Sequence, residues 1–147
     1  MRETTYLQLS KKENKMDIST VTPRELGEKI VEVLYRKKAK NIAMLNVEEQ
    51  TSITEFYVIA NGNSRTQIRA LSDEVDVKLK EAGIPPINVE GRGNGTWELI
   101  DFGPVVVHIF SREAREFYNL ENLWEDAEKI DVTPILDRVD AENSDVK

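Results

Sequence analysis

Residues Trp97–Phe110 read W-E-L-I-D-F-G-P-V-V-V-H-I-F, two extended segments joined by a tight turn at Asp101-Phe102-Gly103-Pro104. Alternation puts Trp97, Leu99 and Asp101 on one face of the first strand, and Glu98, Ile100 and Phe102 on the other. In the second strand Val105, Val107 and Ile109 oppose Val106, His108 and Phe110. A hairpin with one wet face is apolar on one side and polar on the other; this pair is apolar on both. Something covers each side, and only one cover need be the chain's own helices. The second is a candidate partner.

The flanking segments place this pair in a mixed sheet. Thr22-Pro23-Arg24-Glu25 is a helix start, with Thr22 as N-cap, Pro23 at the first helical position and Glu25 closing a capping box. Leu26, Ile30, Val33 and Leu34 recur at helical spacing up to Arg36-Lys37-Lys38, which suits a helix C-terminus. Ile42–Val47 and Phe56–Ala60 are strand-like. After a turn at Asn61-Gly62-Asn63, Ser64 and Gln67 form a second capping box. Ile68, Leu71, Val75, Leu79 and Ala82 then make the buried stripe of a helix that Gly83 ends. Pro85-Pro86 enters a strand at Ile87–Glu90, and Gly91–Gly95 reads as a mobile loop that frees Trp97. Ser111 caps a last helical segment, whose Phe117 and Tyr118, with Trp124, are expected to seal the sheet edge and core. The predicted fold is α/β: a mixed, mostly five-stranded sheet flanked by helices. Phe56–Ala60 and Ile87–Glu90 are expected as parallel strands joined by a right-handed crossover.

The 147 residues suit one domain with a core of two or three layers. A flexible segment is expected over 1–20, a single domain over 21–127 and an acidic tail over 128–147. Met16 lies close to the first element, which is compatible with an appended or alternative start upstream. Past Trp124 only Ile130, Val132, Ile135, Leu136 and Val139 can join a core, so the tail is expected on the surface or frayed. The net charge of −7 is uneven: residues 1–16 carry four basic and two acidic side chains, residues 121–147 three basic and nine acidic. No basic stripe suits a phosphate backbone, so a basic protein is the better partner than a nucleic-acid sequence. No apolar run reaches membrane-span length, no apolar leader opens the chain, and there is no cysteine. A cytoplasmic protein is expected.

Chemical readings meet missing partners. Gly91–Gly95 is G-x-G-x-G, but a phosphate cradle needs a helix after it and here a strand follows. Asn61–Ser64 sits at a strand-to-helix turn, as the triphosphate turn of nucleotidyltransferases does. The strand after that helix offers Asn88 and Glu90 instead of Asp-x-Asp, while Asp73 and Asp76 form a solvated pair on the helix. His108 is the sole histidine, so neither a metal cluster nor a Ser/His/Asp relay assembles around it. Trp97 is either a binding anchor flanked by charge or ordinary sheet packing. No catalytic residue, metal or cofactor is assigned.

Thr51–Ser64 (T-S-I-T-E-F-Y-V-I-A-N-G-N-S), Val89–Gly103, Val105–Phe110 and Arg115–Trp124 (R-E-F-Y-N-L-E-N-L-W) together resemble the ribosomal silencing factor, or Iojap-like, family. The resemblance runs from about Thr22 to Ala127. It implies a non-catalytic protein, similar in fold to a nucleotidyltransferase core without the metal-binding acids. It implies binding to the large ribosomal subunit at its ribosomal protein fourteen, steric exclusion of the small subunit, repression of translation, and a homodimer through an overlapping surface. Carried over by position, Trp97 and Asp101 belong to the docking face, and the expected partner-binding set is Trp97, Leu99, Asp101, Phe102, Val105 and Val107. Pro104 departs from the acid usual in that turn, so any salt bridge made there is lost or moved. Asn61 stands where a serine is common, and little effect is expected. The competing readings are a nucleotidyltransferase-like enzyme, using Asn61–Ser64 with Glu90 or Asp101 and magnesium, and a large-subunit assembly factor.

Overall fold

A computed structural model describes residues 20–145; the segment expected to be flexible, up to residue 19, lies outside the described residues. Helix α1 (Pro23–Arg36) starts as its sequence dictates. Thr22 Oγ1 accepts the Glu25 N–H at 3.0 Å and Glu25 Oε1 accepts the Thr22 N–H at 3.0 Å. Strands β1 (Lys40–Asn46) and β2 (Phe56–Gly62) follow, then α2 (Arg65–Glu81). Ser64 caps α2 by accepting the Gln67 N–H at 3.0 Å, but Gln67 reaches back to the Asn63 N–H, one residue earlier than a capping box requires. At the other end Gly83 takes φ +91°, Gly83 N–H bonds Lys80 O and Ile84 N–H bonds Leu79 O, a Schellman stop.

The remaining elements are β3 (Asn88–Glu90), β4 (Trp97–Asp101), β5 (Val105–Ser111), α3 (Arg112–Tyr118), the single turn α4 (Leu120–Leu123), β6 (Glu128–Lys129) and α5 (Thr133–Asp145). One six-stranded sheet has the order β3-β4-β5-β2-β1-β6. Only β2 and β5 are parallel neighbours; every other pair is antiparallel. The crossover from β2 returns a strand in the same direction, but β3 lands at the far edge with β4 and β5 between them. The V-V-V-H-I-F strand and its parallel neighbour β2 occupy the middle, the two longest runs buried on both faces.

The sixth strand and last helix come from the segment expected to fray. Ile130 N–H bonds Met44 O at 2.8 Å and Lys129 pairs with Leu45, adding a strand to the β1 edge. Ile135 and Val139, four residues apart, are buried on α5. That helix rests on α1, where Tyr35 Oη donates to Asp140 at 2.9 Å, and Arg36 pairs with Glu142. The sparse apolar residues suffice because α1 and β1 already present a surface to receive them.

Candidate functional site

The register divides the predicted hairpin unambiguously. Val105, Val107 and Ile109 align with Ile100 and Glu98 and pack under α1 and α2, all fully buried. Phe102, 5% exposed, joins the same core. Val105 and Val107 are therefore removed from the expected partner-binding set, because a partner would have to displace two helices to touch them, and Phe102 is removed with them because it faces the same helix-covered side, away from Trp97. Trp97, Leu99 and Asp101 lie on the opposite face with Val106, His108 and Phe110. Among the described residues, that face is covered only in part. Ala114, Leu120 and Trp124 pack over Leu45, Ile59 and Phe110, leaving Trp97, Leu99 and Asp101 of β4 half-exposed.

Trp97 is held by aromatic neighbours and one hydrogen bond. Its indole N–H donates to His108 Nδ1 at 3.0 Å, with Phe110 5.0 Å and Tyr118 4.6 Å away between ring centroids. Because indole nitrogen only donates, His108 must accept through Nδ1 and carry its proton on Nε2. Burial pushes the imidazole down to about 4, so it is neutral near pH 7. It serves as an acceptor that fixes the tryptophan.

The glycine segment is not free. Gly91, Gly93 and Gly95 have φ of +75°, +83° and +87°, which accounts for the G-x-G-x-G spacing without a phosphate. Arg92 forks onto α2, with Nη1 2.6 Å from Asp73 and Nη2 3.2 Å from Asp76, so the supposed solvated pair is an anchor. A Cβ at Gly91 would lie 2.4 Å from Trp97 O. Gly91→Ala combines that clash with a left-handed φ and is expected to destabilise by roughly 2–4 kcal/mol, measured by urea unfolding. A change below 0.5 kcal/mol would contradict this account of the loop.

The Asn61 turn is also occupied by structure. Asn61 is 5% exposed and its Oδ1 accepts from Arg115 Nη1 at 2.9 Å, while Arg115 Nη2 meets Glu121 Oε2 at 2.6 Å. Arg115 also reaches Asn41 O at the β1 bulge, tying α3 and α4 to the sheet. This partnership, with Asn61 in place of a serine, is more consequential than the sequence suggested. A Cβ at Gly62 would meet Ile68 Cγ1 at 2.8 Å. By register Glu90 is three strands from the turn, about 15 Å, and Asp101 lies toward the other end of the sheet, on the order of 16 Å away. The acids that the enzyme reading requires do not converge on that turn. Asp101 instead accepts the Gly103 N–H at 2.7 Å inside the hairpin turn, and Pro104 O accepts the N–H groups of Glu55 and Phe56.

Sequence reasoning misplaced two aromatics and passed over a third apolar residue. Phe117 is 80% exposed and Tyr118 48% exposed, with Leu123 at 69%, so Phe117 seals nothing and Tyr118 only flanks Trp97. The usable signal was the shortness of α3: seven residues bury one side chain, Ala114, and cannot turn every large apolar residue inward. Trp124 does seal, with its ring 5.5 Å from Tyr57. The result is a half-covered apolar face, open along β4, α3 and α4.

The family model described as "Ribosomal silencing factor during starvation" matches residues 20–147. The chain belongs to the ribosomal silencing factor family. Its relative in Halalkalibacterium halodurans, named ribosomal silencing factor RsfS, is 36% identical over 113 residues, covering 77% of this chain and 97% of that one. A mouse protein named for mitochondrial assembly of the ribosomal large subunit is 31% identical over 98 residues, covering 65% of this chain and 43% of that one. A crystal structure of a Chromobacterium violaceum protein superposes with a TM-score of 0.70 at 37% identity, covering 71% of this chain and 88% of that one. The family match extends through β6 and α5, beyond the point near Ala127 where the sequence resemblance ended.

Proposed function

We propose that this member of the ribosomal silencing factor family docks on the large ribosomal subunit through the half-covered β4 face and excludes the small subunit sterically. The observation that carries the reading is a partly open apolar strip among the described residues: half-buried Trp97 and Leu99, with exposed Tyr118 4.6 Å from the Trp97 ring and exposed Phe117 against Tyr118. Asp101 and Glu90 border it, and the chain's net charge is −7, which suits a basic counterpart such as ribosomal protein fourteen. An interface of about 800 Å² per partner gives useful affinity without bond chemistry. Two copies meeting through the same strip would form a homodimer that competes with docking. The protein acts in the cytoplasm, where subunits join. Large-subunit assembly is the second reading, favoured by the name of the mouse relative. Purified subunits, mixed with and without the protein and resolved on sucrose gradients, test the first reading. The free large-subunit peak is expected to persist with protein bound to it; normal joining at saturating protein would overturn exclusion and leave assembly.

A further inference from the structure

The glycine loop wraps the sheet edge, and its contacts join two surfaces that face opposite ways. On the helix side, Arg92 bridges Asp73 and Asp76 of α2, and Arg65 Nη1 donates to Gly93 O at 2.7 Å. The Gly93 N–H donates to Glu98 Oε2 at 3.0 Å, so the backbone at Gly93 is gripped on both its donor and its acceptor. Glu98 is fully buried beneath α2, and this is the one hydrogen bond of its carboxylate among the described residues. On the other side, Gly91, Asn94 and Thr96 form one wall of a groove of about 280 Å³, whose remaining lining includes Trp97, Leu99 and Tyr118. Only Thr96 separates Gly95 from Trp97, and Thr96 O accepts the Ser111 N–H at 2.8 Å, so displacement of the loop is passed directly to the start of β4.

We infer that Arg92 is a positioning residue: its fork onto Asp73 and Asp76 holds the loop wall and thereby the placement of Trp97 for docking, without itself touching the partner. A simpler role, closing the β3–β4 connection, would be met by any tight turn. It does not require an arginine gripping a helix on the far face or a buried carboxylate on a loop amide. Both carboxylates carry second partners, Arg69 for Asp73 and Lys80 for Asp76, so α2 keeps its surface pairs when Arg92 is replaced. A guanidinium spans two carboxylates in a fixed fork where an ammonium meets one at a time.

This inference rests on the docking reading, and the test separates the two. The full chain, labelled with 5-fluorotryptophan, gives two resonances, one for Trp97 and one for Trp124, which lies away from the loop. Arg92→Ala is expected to shift or broaden the Trp97 signal and leave that of Trp124 in place. Its affinity for purified large subunits is expected to fall about tenfold, with Arg92→Lys between it and the native protein. If Trp97→Ala loses binding while Arg92→Ala binds normally, the positioning role is overturned and the docking face stands, whether or not the Trp97 resonance moves. If neither substitution changes binding, the docking face is wrong and the positioning role fails with it. Equal disturbance of both tryptophans would show general loosening and overturn it also.

Discussion

Trp97→Ala is expected to abolish co-sedimentation with large ribosomal subunits while leaving a folded protein. Truncating a buried aromatic anchor at an interface typically costs 2–4 kcal/mol, or roughly 30- to 1,000-fold in affinity. The substitution also costs stability, because it removes contacts to Phe110 and Tyr118 and takes the donor from buried His108 Nδ1. An acceptor left unpaired in this way costs about 1–3 kcal/mol. Circular dichroism and a urea titration must therefore accompany the sedimentation. Phe117→Ala supplies the control for that loss: at 80% exposure it should change stability by less than about 0.5 kcal/mol, yet weaken binding if the strip extends onto α3. Native binding by a folded Trp97→Ala protein would remove the proposed face.

Acidification below neutrality is expected to destabilise the protein through His108. Its imidazole sits at about 4 in the folded state, against an ordinary value of 6.5, because burial disfavours the charged ring. Between those values the unfolded chain binds a proton that the folded one refuses, so stability is fully present above pH 6.5 and is lost as pH falls toward 4. The whole window is worth roughly 3 kcal/mol. As the only histidine, His108 accounts for the upper part of that slope. Glu121, held below its ordinary 4.5 by the Arg115 guanidinium, contributes a loss that begins lower, as pH falls through its depressed value. Urea midpoints at pH 7 and pH 5 should differ in the native protein and converge in His108→Asn, whose Oδ1 can still accept from Trp97. An unchanged slope in the variant would show that the imidazole is not the buried titrating group. Tryptophan fluorescence should change over the acid end of the same window, since protonated Nδ1 can no longer accept the indole N–H.

Much of the fold was legible because local chemistry dictated it. Thr22, Pro23 and Glu25 can do little else than start a helix, and Gly83 supplies the left-handed residue that a Schellman stop needs. Ile68, Leu71, Val75 and Leu79 recur at helical spacing, and all four are fully buried. The second capping box failed by one residue because Gln67 is long enough to reach the Asn63 amide. Exposure of Phe117 escaped because apolarity alone does not say whether a seven-residue helix has room to bury its side chains.

By itself the sequence determined the elements from α1 to α3, the N-caps Thr22, Ser64 and Ser111, the hairpin at Trp97–Phe110 and the fact that both of its faces are apolar. Period-two alternation separates Trp97, Leu99 and Asp101 from Ile100 and Phe102, but it carries no sign for which set points inward. Only the tertiary structure decided that, by laying α1 and α2 over Val105 and Val107 and leaving Trp97 at a partly covered edge. It also drew the acidic tail into β6 and α5. The few apolar residues there gain burial only once α1 and β1 stand in place to receive them. The glycine loop followed the same rule: three left-handed glycines permit many paths, and Arg92 reaching Asp73 and Asp76 selects one. Short-range rules fix what a segment can be. Contacts between residues far apart in the chain fix which side of it meets water.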